Sequence, residues 1–66
     1  MNVTVNGSAR TLPEGASVGA AVRLVTQAST GVAAAVNDQV ISRAGWDSTP
    51  LAEGDRVEVL TAAPGG

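Results

Sequence analysis

The 66-residue chain contains no cysteine, no histidine, no phenylalanine and no tyrosine. Without cysteine it can form neither disulfides nor thiolate metal sites. Without histidine it lacks the usual general base, so a Ser-His or Cys-His nucleophile is impossible within the chain. Any sulfur chemistry carried by this chain therefore cannot run through a side-chain thiol.

Positive charge is also scarce, because the chain has only four cationic side chains and a net charge of −2. All four are arginines. This positive charge is too small to form a surface that binds nucleic acid. No apolar run approaches the ~20 residues of a membrane span, and the N-terminus has no signal-peptide pattern. These features predict one small cytoplasmic domain with neither nucleic acid nor membrane as a partner. The absence of lysine excludes polymers of the chain linked through its own lysines.

The slim end of the chain is the first candidate for a functional site. A strand-like run stops near Thr61, and Pro64, Gly65 and Gly66 follow after two alanines. Gly65 and Gly66 lack a Cβ, and Pro64 keeps the backbone before it extended. This pattern suits a terminal carboxylate that is threaded into a narrow enzyme channel, where a side chain would block attack at the carbonyl. A frayed terminus is the alternative, because chain ends are often disordered.

The first twelve residues predict a β-hairpin. Alternation puts Val3 on an apolar face, and Asn6 and Gly7 form a strong hairpin signal because both tolerate a positive φ. Two registers remain open. A two-residue loop places Val3 opposite Arg10, which is unfavourable on a core face, whereas a three-residue loop places it opposite Thr11.

A helix and three strands follow the hairpin. Ser17 is a good N-cap, and an apolar stripe predicts a helix over about 17–26. The stripe consists of Val18, Ala21, Val22 and Val25. Further strands are predicted at 32–36, 39–41 and 55–61. We expect the first of these to be buried, and the last to be central and parallel to the opening strand.

Two apolar residues are candidates for partner contacts. Residues 42–50 are predicted to be irregular, and Trp46 within them either closes one side of a small core or anchors a partner. In the last strand Val57 and Val59 face one way, while Leu60 lies on the opposite, charged face next to the tail. Leu60 is therefore a candidate contact, although a single exposed leucine is ordinary.

In order and spacing, these parts resemble the ThiS family of small sulfur carrier proteins in thiamine biosynthesis, over essentially the whole chain. The matching pieces are Val5-Asn6-Gly7, Leu12-Pro13-Glu14-Gly15 with Ser17-Val18, Ala35-Val36-Asn37-Asp38 with Val40-Ile41, Arg43 with Trp46, the run from Pro50 to Leu60, and Gly65-Gly66. Two residues depart from the family pattern. Ser42 stands where a proline is common, and Pro64 stands where a less rigid residue is usual.

The resemblance implies an α+β fold, a ubiquitin-like β-grasp with a mixed sheet packed on one main helix. Residues 1–62 would form this body and residues 63–66 a flexible tail. It also implies that an E1-like adenylyltransferase joins the Gly66 carboxylate to AMP, using ATP and magnesium. A sulfur donor such as a cysteine desulfurase would then displace AMP and convert the Gly66 terminus to a thiocarboxylate. Thiazole synthase would take the sulfur from this thiocarboxylate. The chain would be a cosubstrate with no catalytic residue, metal site or permanent cofactor, and Gly65 and Pro64 would thread the tail.

Three other functions remain open. A carrier of the same fold could serve molybdopterin synthesis or tRNA thiolation, with identical chemistry at the tail and a different acceptor. A ubiquitin-like modifier would instead be joined to target lysines. A non-covalent interaction module would make the two terminal glycines accidental.

Overall fold

The computed structural model describes residues 1–62, which form a five-stranded mixed sheet with one α-helix against its inner face. In chain order the elements are β1 (Asn2–Val5), β2 (Ser8–Thr11), α1 (Val18–Val25), β3 (Val32–Val36), β4 (Gln39–Ile41), a 3₁₀ helix (Arg43–Ser48) and β5 (Arg56–Thr61). The strand order is β2-β1-β5-β3-β4. As predicted, the last strand is central and pairs in parallel with β1, and the other neighbours are antiparallel.

The opening hairpin adopts the two-residue loop, with Asn6 and Gly7 at positive φ. Val3 therefore lies opposite Arg10, the register that looked unfavourable from the sequence. The difficulty disappears because β2 is an edge strand, and all four of its residues are exposed. Val3 is buried beside β5 while Arg10, on the same sheet face, stays in solvent.

Helix α1 begins where the sequence predicts, with the Ser17 Oγ accepting a hydrogen bond from the Ala20 N–H at 3.3 Å. The first three members of the predicted stripe are buried, but the fourth, Val25, is 42% exposed. Val25 lies in the last turn, beside an open depression rather than over the core. Backbone bonds from Val18 to Thr49 and from Leu51 to Ala16 fix the start of the helix to the chain that leads into β5.

Strand β3 is less buried than its apolar sequence predicts. Ala34 alone among its residues is buried, and Ala33 is exposed on the outer face. The reason is that α1 covers one face of the sheet only, so alternate residues of β3 meet solvent. The turn after β3 uses Asn37 and Asp38, both at positive φ.

The segment predicted to be irregular contains the 3₁₀ helix, which carries Trp46 into the core. The Trp46 indole is only 7% exposed, and its Nε1–H donates to the Ile41 carbonyl at 2.9 Å. The carbonyl of Gly45 accepts hydrogen bonds from the hydroxyls of Ser48 and Thr49, which hold the short helix closed. Of the two interpretations of Trp46, the structure therefore favours the core lid over an exposed partner anchor.

The core is built almost entirely from small aliphatic side chains. Its buried members are Val3, Val5, Leu12, Val18, Ala21, Val22, Ala34, Trp46, Leu51, Val57 and Val59. Most come from β1, α1, β3, the 3₁₀ helix and β5, whereas Leu12 and Leu51 come from the connecting segments. Within residues 1–62, no helix has the length and apolar character needed to cross a membrane.

Candidate functional site

The base of the tail is fixed by backbone hydrogen bonds up to the last described residue. Thr61 pairs with Val32, and the Ala62 N–H donates to the Gly31 carbonyl at 2.7 Å. The direction in which the chain leaves the sheet is therefore set by β3 and the residue before it. Pro64, Gly65 and Gly66, which the sequence singles out for tail chemistry, lie outside the described residues.

Gly31 is a positioning residue that the sequence analysis did not identify. It has a φ of 70°, and a Cβ added there would lie 3.3 Å from the Ala62 Cβ. Its carbonyl is the acceptor that holds Ala62. A glycine just before a strand was the available signal, but nothing in the sequence indicated that this glycine contacts the tail base.

Asn6 holds the other side of β5. Its side-chain nitrogen donates to the Val59 carbonyl at 3.1 Å, and its side-chain oxygen accepts from the Val59 N–H at 2.7 Å. The register between β1 and β5 ends at the Val5–Val57 pair, so this amide replaces the next residue of a strand. The sequence predicted that Asn6 forms a hairpin turn, and its side chain also binds the backbone of β5 near the tail.

The outer face of the sheet carries an apolar surface next to the tail, which we call the outer patch. It consists of Ala33, Ala35, Val40 and Leu60, with Glu58 beside them around a shallow depression of about 80 Å³. Leu60 is 70% exposed, as its position predicts, and Val40 is 76% exposed. Cross-strand pairing places Leu60 opposite Ala33, and Ala35 opposite both Glu58 and Val40. The sequence analysis did not identify Val40, because whether two residues share one patch depends on long-range strand pairing.

An ion-pair network borders the outer patch. The Arg56 guanidinium contacts Asp38 at 2.6 Å and Glu58 at 3.3 Å. The hydrogen bond to Asp38 is the main cause that raises the pKa of Arg56 above its ordinary value. The rim of the patch thus carries a cation that contacts two carboxylates.

Two further acidic residues, Asp55 and Glu53, have structural roles in turns. Asp55 accepts hydrogen bonds from the Ala52 N–H and the Asn37 side chain, and Glu53 accepts from the Asn2 N–H. Such contacts are typical of acidic residues in turns. Among residues 1–62, no three potential metal ligands are grouped together.

The outer patch and Trp46 do not form one site. Trp46 lies in the core among residues of the inner face, whereas Leu60 projects from the outer face. The structure instead brings Leu60 together with the base of the tail, one residue before Thr61. The candidate site is thus a slim chain end that leaves a rigid strand beside an exposed apolar surface.

Comparisons with known proteins agree with this geometry. The model of the ThiS family matches residues 3–66. The crystal structure of a thiamine biosynthesis protein (ThiS) from Geobacter metallireducens is 36% identical, with a TM-score of 0.78 and full coverage of both chains. An NMR structure of a thiamine biosynthesis protein from the same organism is 33% identical, with a TM-score of 0.78, and covers all of this chain and 88% of that one. No match was found among curated protein sequences. The fold is the ubiquitin-like β-grasp that the sequence predicts.

Proposed function

Because this chain belongs to the ThiS family, we propose that it carries sulfur for thiamine biosynthesis as a thiocarboxylate on Gly66. The observation that supports this most directly is that the family match extends to residue 66 and so includes both terminal glycines. The backbone hydrogen bond from Ala62 to Gly31 also supports it, because this bond holds the residue from which the tail begins.

The proposed chemistry begins with activation of the carboxylate. A carboxylate is a poor electrophile, so an E1-like adenylyltransferase uses ATP and magnesium to join the Gly66 carboxylate oxygen to the α-phosphorus of ATP, and pyrophosphate leaves. A sulfur donor, such as a persulfide supplied by a cysteine desulfurase, attacks the acyl carbon and AMP leaves. Reductive cleavage of the sulfur–sulfur bond by a thiol then frees the thiocarboxylate, from which thiazole synthase takes the sulfur.

In this scheme the chain supplies a reactive terminus and the partner enzymes supply catalysis. The sequence has no cysteine to compete for the sulfur and no histidine to act as a base. Its own contributions are to hold the tail and to bind its partners. The outer patch suits the second task, since Leu60 and Val40 expose aliphatic surface beside the tail with Glu58 at the rim.

The test is to change the length and width of the tail. Removing Gly66 moves the reactive carbonyl back by up to ~3.6 Å, and near-attack geometry loses about 10²-fold for a misplacement of only 1 Å. We expect chains that lack Gly66, or carry one extra residue after it, to lose adenylation and the mass gain from replacing oxygen by sulfur. Gly65→Val should also fail because its side chain blocks the channel. Mass spectrometry after incubation with activating enzyme, ATP and a sulfur source measures each reaction.

A matched control changes one residue of the tail and keeps its length, without adding a larger side chain. Ala63→Gly removes a Cβ and should react like the wild type, and thermal unfolding of every variant should be unchanged. If the chain that lacks Gly66 gains sulfur at the wild-type rate, Gly66 is not the site and the carrier function is wrong. If the thiocarboxylate forms but thiazole synthase cannot use it, the acceptor belongs to another pathway.

A further inference from the structure

A second surface borders the tail base, on the side of α1. It consists of two adjoining depressions of about 560 Å³ and about 270 Å³ that share Thr26 and Ala28. The larger one is lined by Val25, Gly31 and Ala62 among others. The smaller one is lined by the two arginines and the carboxylate described next. We call the two together the exit groove.

Within residues 1–62, the polar part of the exit groove holds a positive charge without a counter-charge. Arg23 is neutralised by Asp47, whose two carboxylate oxygens lie 2.9 and 3.2 Å from its Nη2. Arg43 lies 5.2 Å above the centroid of the Trp46 ring and forms no ion pair with residues 1–62. This cation–π contact places the guanidinium beside the indole, and a guanidinium can still donate N–H groups to a planar anion such as a carboxylate.

The apolar part supplies the other half of a docking surface. Large aliphatic side chains are exposed in two regions of the described chain, one being the outer patch. The other is the last turn of α1, where Leu24 and Val25 are each 42% exposed. Val25 lies directly in the groove beside Ala62.

The length of the tail places this groove under any enzyme that reaches the terminus. Four residues follow Ala62, so the Gly66 carbonyl can lie at most about 14 Å from it. A standard interface covers about 800 Å² of each partner, which corresponds to a disc of roughly 16 Å radius and so is comparable with this reach. An enzyme that holds the terminus therefore also covers surface around Ala62, and the exit groove begins there.

We propose that the exit groove binds the activating enzyme, through an acidic side chain of that enzyme that pairs with Arg43 beside an aliphatic side chain that packs on Val25. This proposal rests on the proposed sulfur-carrier function. Together with the outer patch, it gives the activating enzyme a contact on each side of the tail. An acidic partner group fits because Arg43 has no ion-pair partner in the part of the chain that the structure describes.

The first variant is Ala28→Glu, because Ala28 lies at the junction of both depressions and is exposed. The new carboxylate competes for Arg43 and repels the acidic partner group. We expect the KM of the activating enzyme for the chain to rise about tenfold with kcat unchanged, the pattern of a lost binding contact. Ala9→Glu makes the same change on the exposed edge strand β2 and should leave KM unchanged.

The second variant is Arg43→Glu, with Arg10→Glu as its control at the far edge of the sheet. Both reverse one arginine, so a general effect of net charge moves both equally. We expect about a tenfold rise in KM for Arg43→Glu only, and a smaller rise for Arg43→Lys, which keeps the charge and loses the planar, bidentate guanidinium. Thermal unfolding tests whether loss of the contact with Trp46 disturbs the fold, and Ala28→Glu remains the decisive variant if it does.

The outcomes separate this inference from the proposed function. Wild-type KM values for Ala28→Glu and a folded Arg43→Glu would overturn the docking site while leaving adenylation of Gly66 intact. Equal rises in KM for the variants and their controls would mean that only net charge matters, and this result would also overturn the docking site. An effect confined to transfer onto thiazole synthase would assign the groove to that enzyme and contradict the proposal. Failure of the wild type to be adenylated would remove the proposed function itself.

Discussion

Alternate residues of β5 lie on two faces of the sheet that differ sharply in burial. Val57 and Val59, on the inner face, are 0% and 4% exposed, whereas Leu60 on the outer face is 70% exposed. The same strand therefore completes the core on one side and offers aliphatic surface to solvent on the other. Because side chains alternate along a strand, each face can change without altering the other.

The inner face of the sheet supports a domain whose total stability is small. A domain of this size has a total stability of roughly 3–10 kcal/mol. Its core consists mainly of valine and alanine, with Leu12, Leu51 and Trp46 as its larger members. The outer face contributes much less to folding, because exposed apolar groups gain little from it. Stability thus depends on the inner face, and the outer face is available for binding.

The largest effect we expect is from Val57→Ala. This side chain is fully buried at the centre of the sheet, and truncation should cost about 2–3 kcal/mol through lost burial and the cavity left behind. Chemical denaturation measures the free energy of unfolding. Val40→Ala, at a side chain that is 76% exposed, is the control and should change it by less than about 0.5 kcal/mol. Equal losses at both positions would mean that the two faces do not differ in the way proposed.

Leu60→Asp tests the outer face and should leave the fold intact. We expect binding to the activating enzyme to weaken by about 1–3 kcal/mol, the range of a useful interface contact. Isothermal calorimetry measures the affinity, and thermal unfolding confirms the fold. Ala9→Asp on the exposed strand β2 adds the same charge away from the patch and serves as control. An affinity equal to that of the wild type would make Leu60 an ordinary exposed leucine.

The smallest effect concerns Gly31, where the chain passes from the sheet into the tail. Gly31→Ala and Gly15→Ala both force a residue with a Cβ into positive φ, at a cost of about 1–2 kcal/mol each. A Cβ at Gly15 meets no atom within 4 Å, whereas one at Gly31 presses on Ala62. We therefore expect similar losses of stability, with a slower adenylation rate for Gly31→Ala alone. Identical rates for the two variants would show that Gly31 does not position the tail.

Local signals in the sequence were sufficient for most elements and failed where the outcome depended on distant pairing. The Ser17 cap and the glycines and asparagines of the turns placed α1 and the strands close to their observed bounds. The hairpin register stayed open because Arg10 opposite Val3 is acceptable only on an edge strand. Which strand is at the edge is decided by pairing between β1 and β5, residues more than fifty positions apart.

The candidate site divides in the same way. Leu60 could be identified from alternation within one strand, but Val40 joins it only through β3. The exit groove combines the end of α1, the 3₁₀ helix and the end of β5. The 3₁₀ helix itself was not predicted, because it is closed by side-chain bonds to the Gly45 and Ile41 carbonyls that propensity does not encode.

The central position of β5 has a consequence for the nascent protein. A ribosome makes β1 and β3 well before β5, yet both use β5 as a neighbour in the sheet. A nascent chain that stops short of Arg56 has two strands without their shared partner and an open apolar core, features that favour aggregation and proteolysis. The sheet therefore joins β1 to β3 only after β5 has been made.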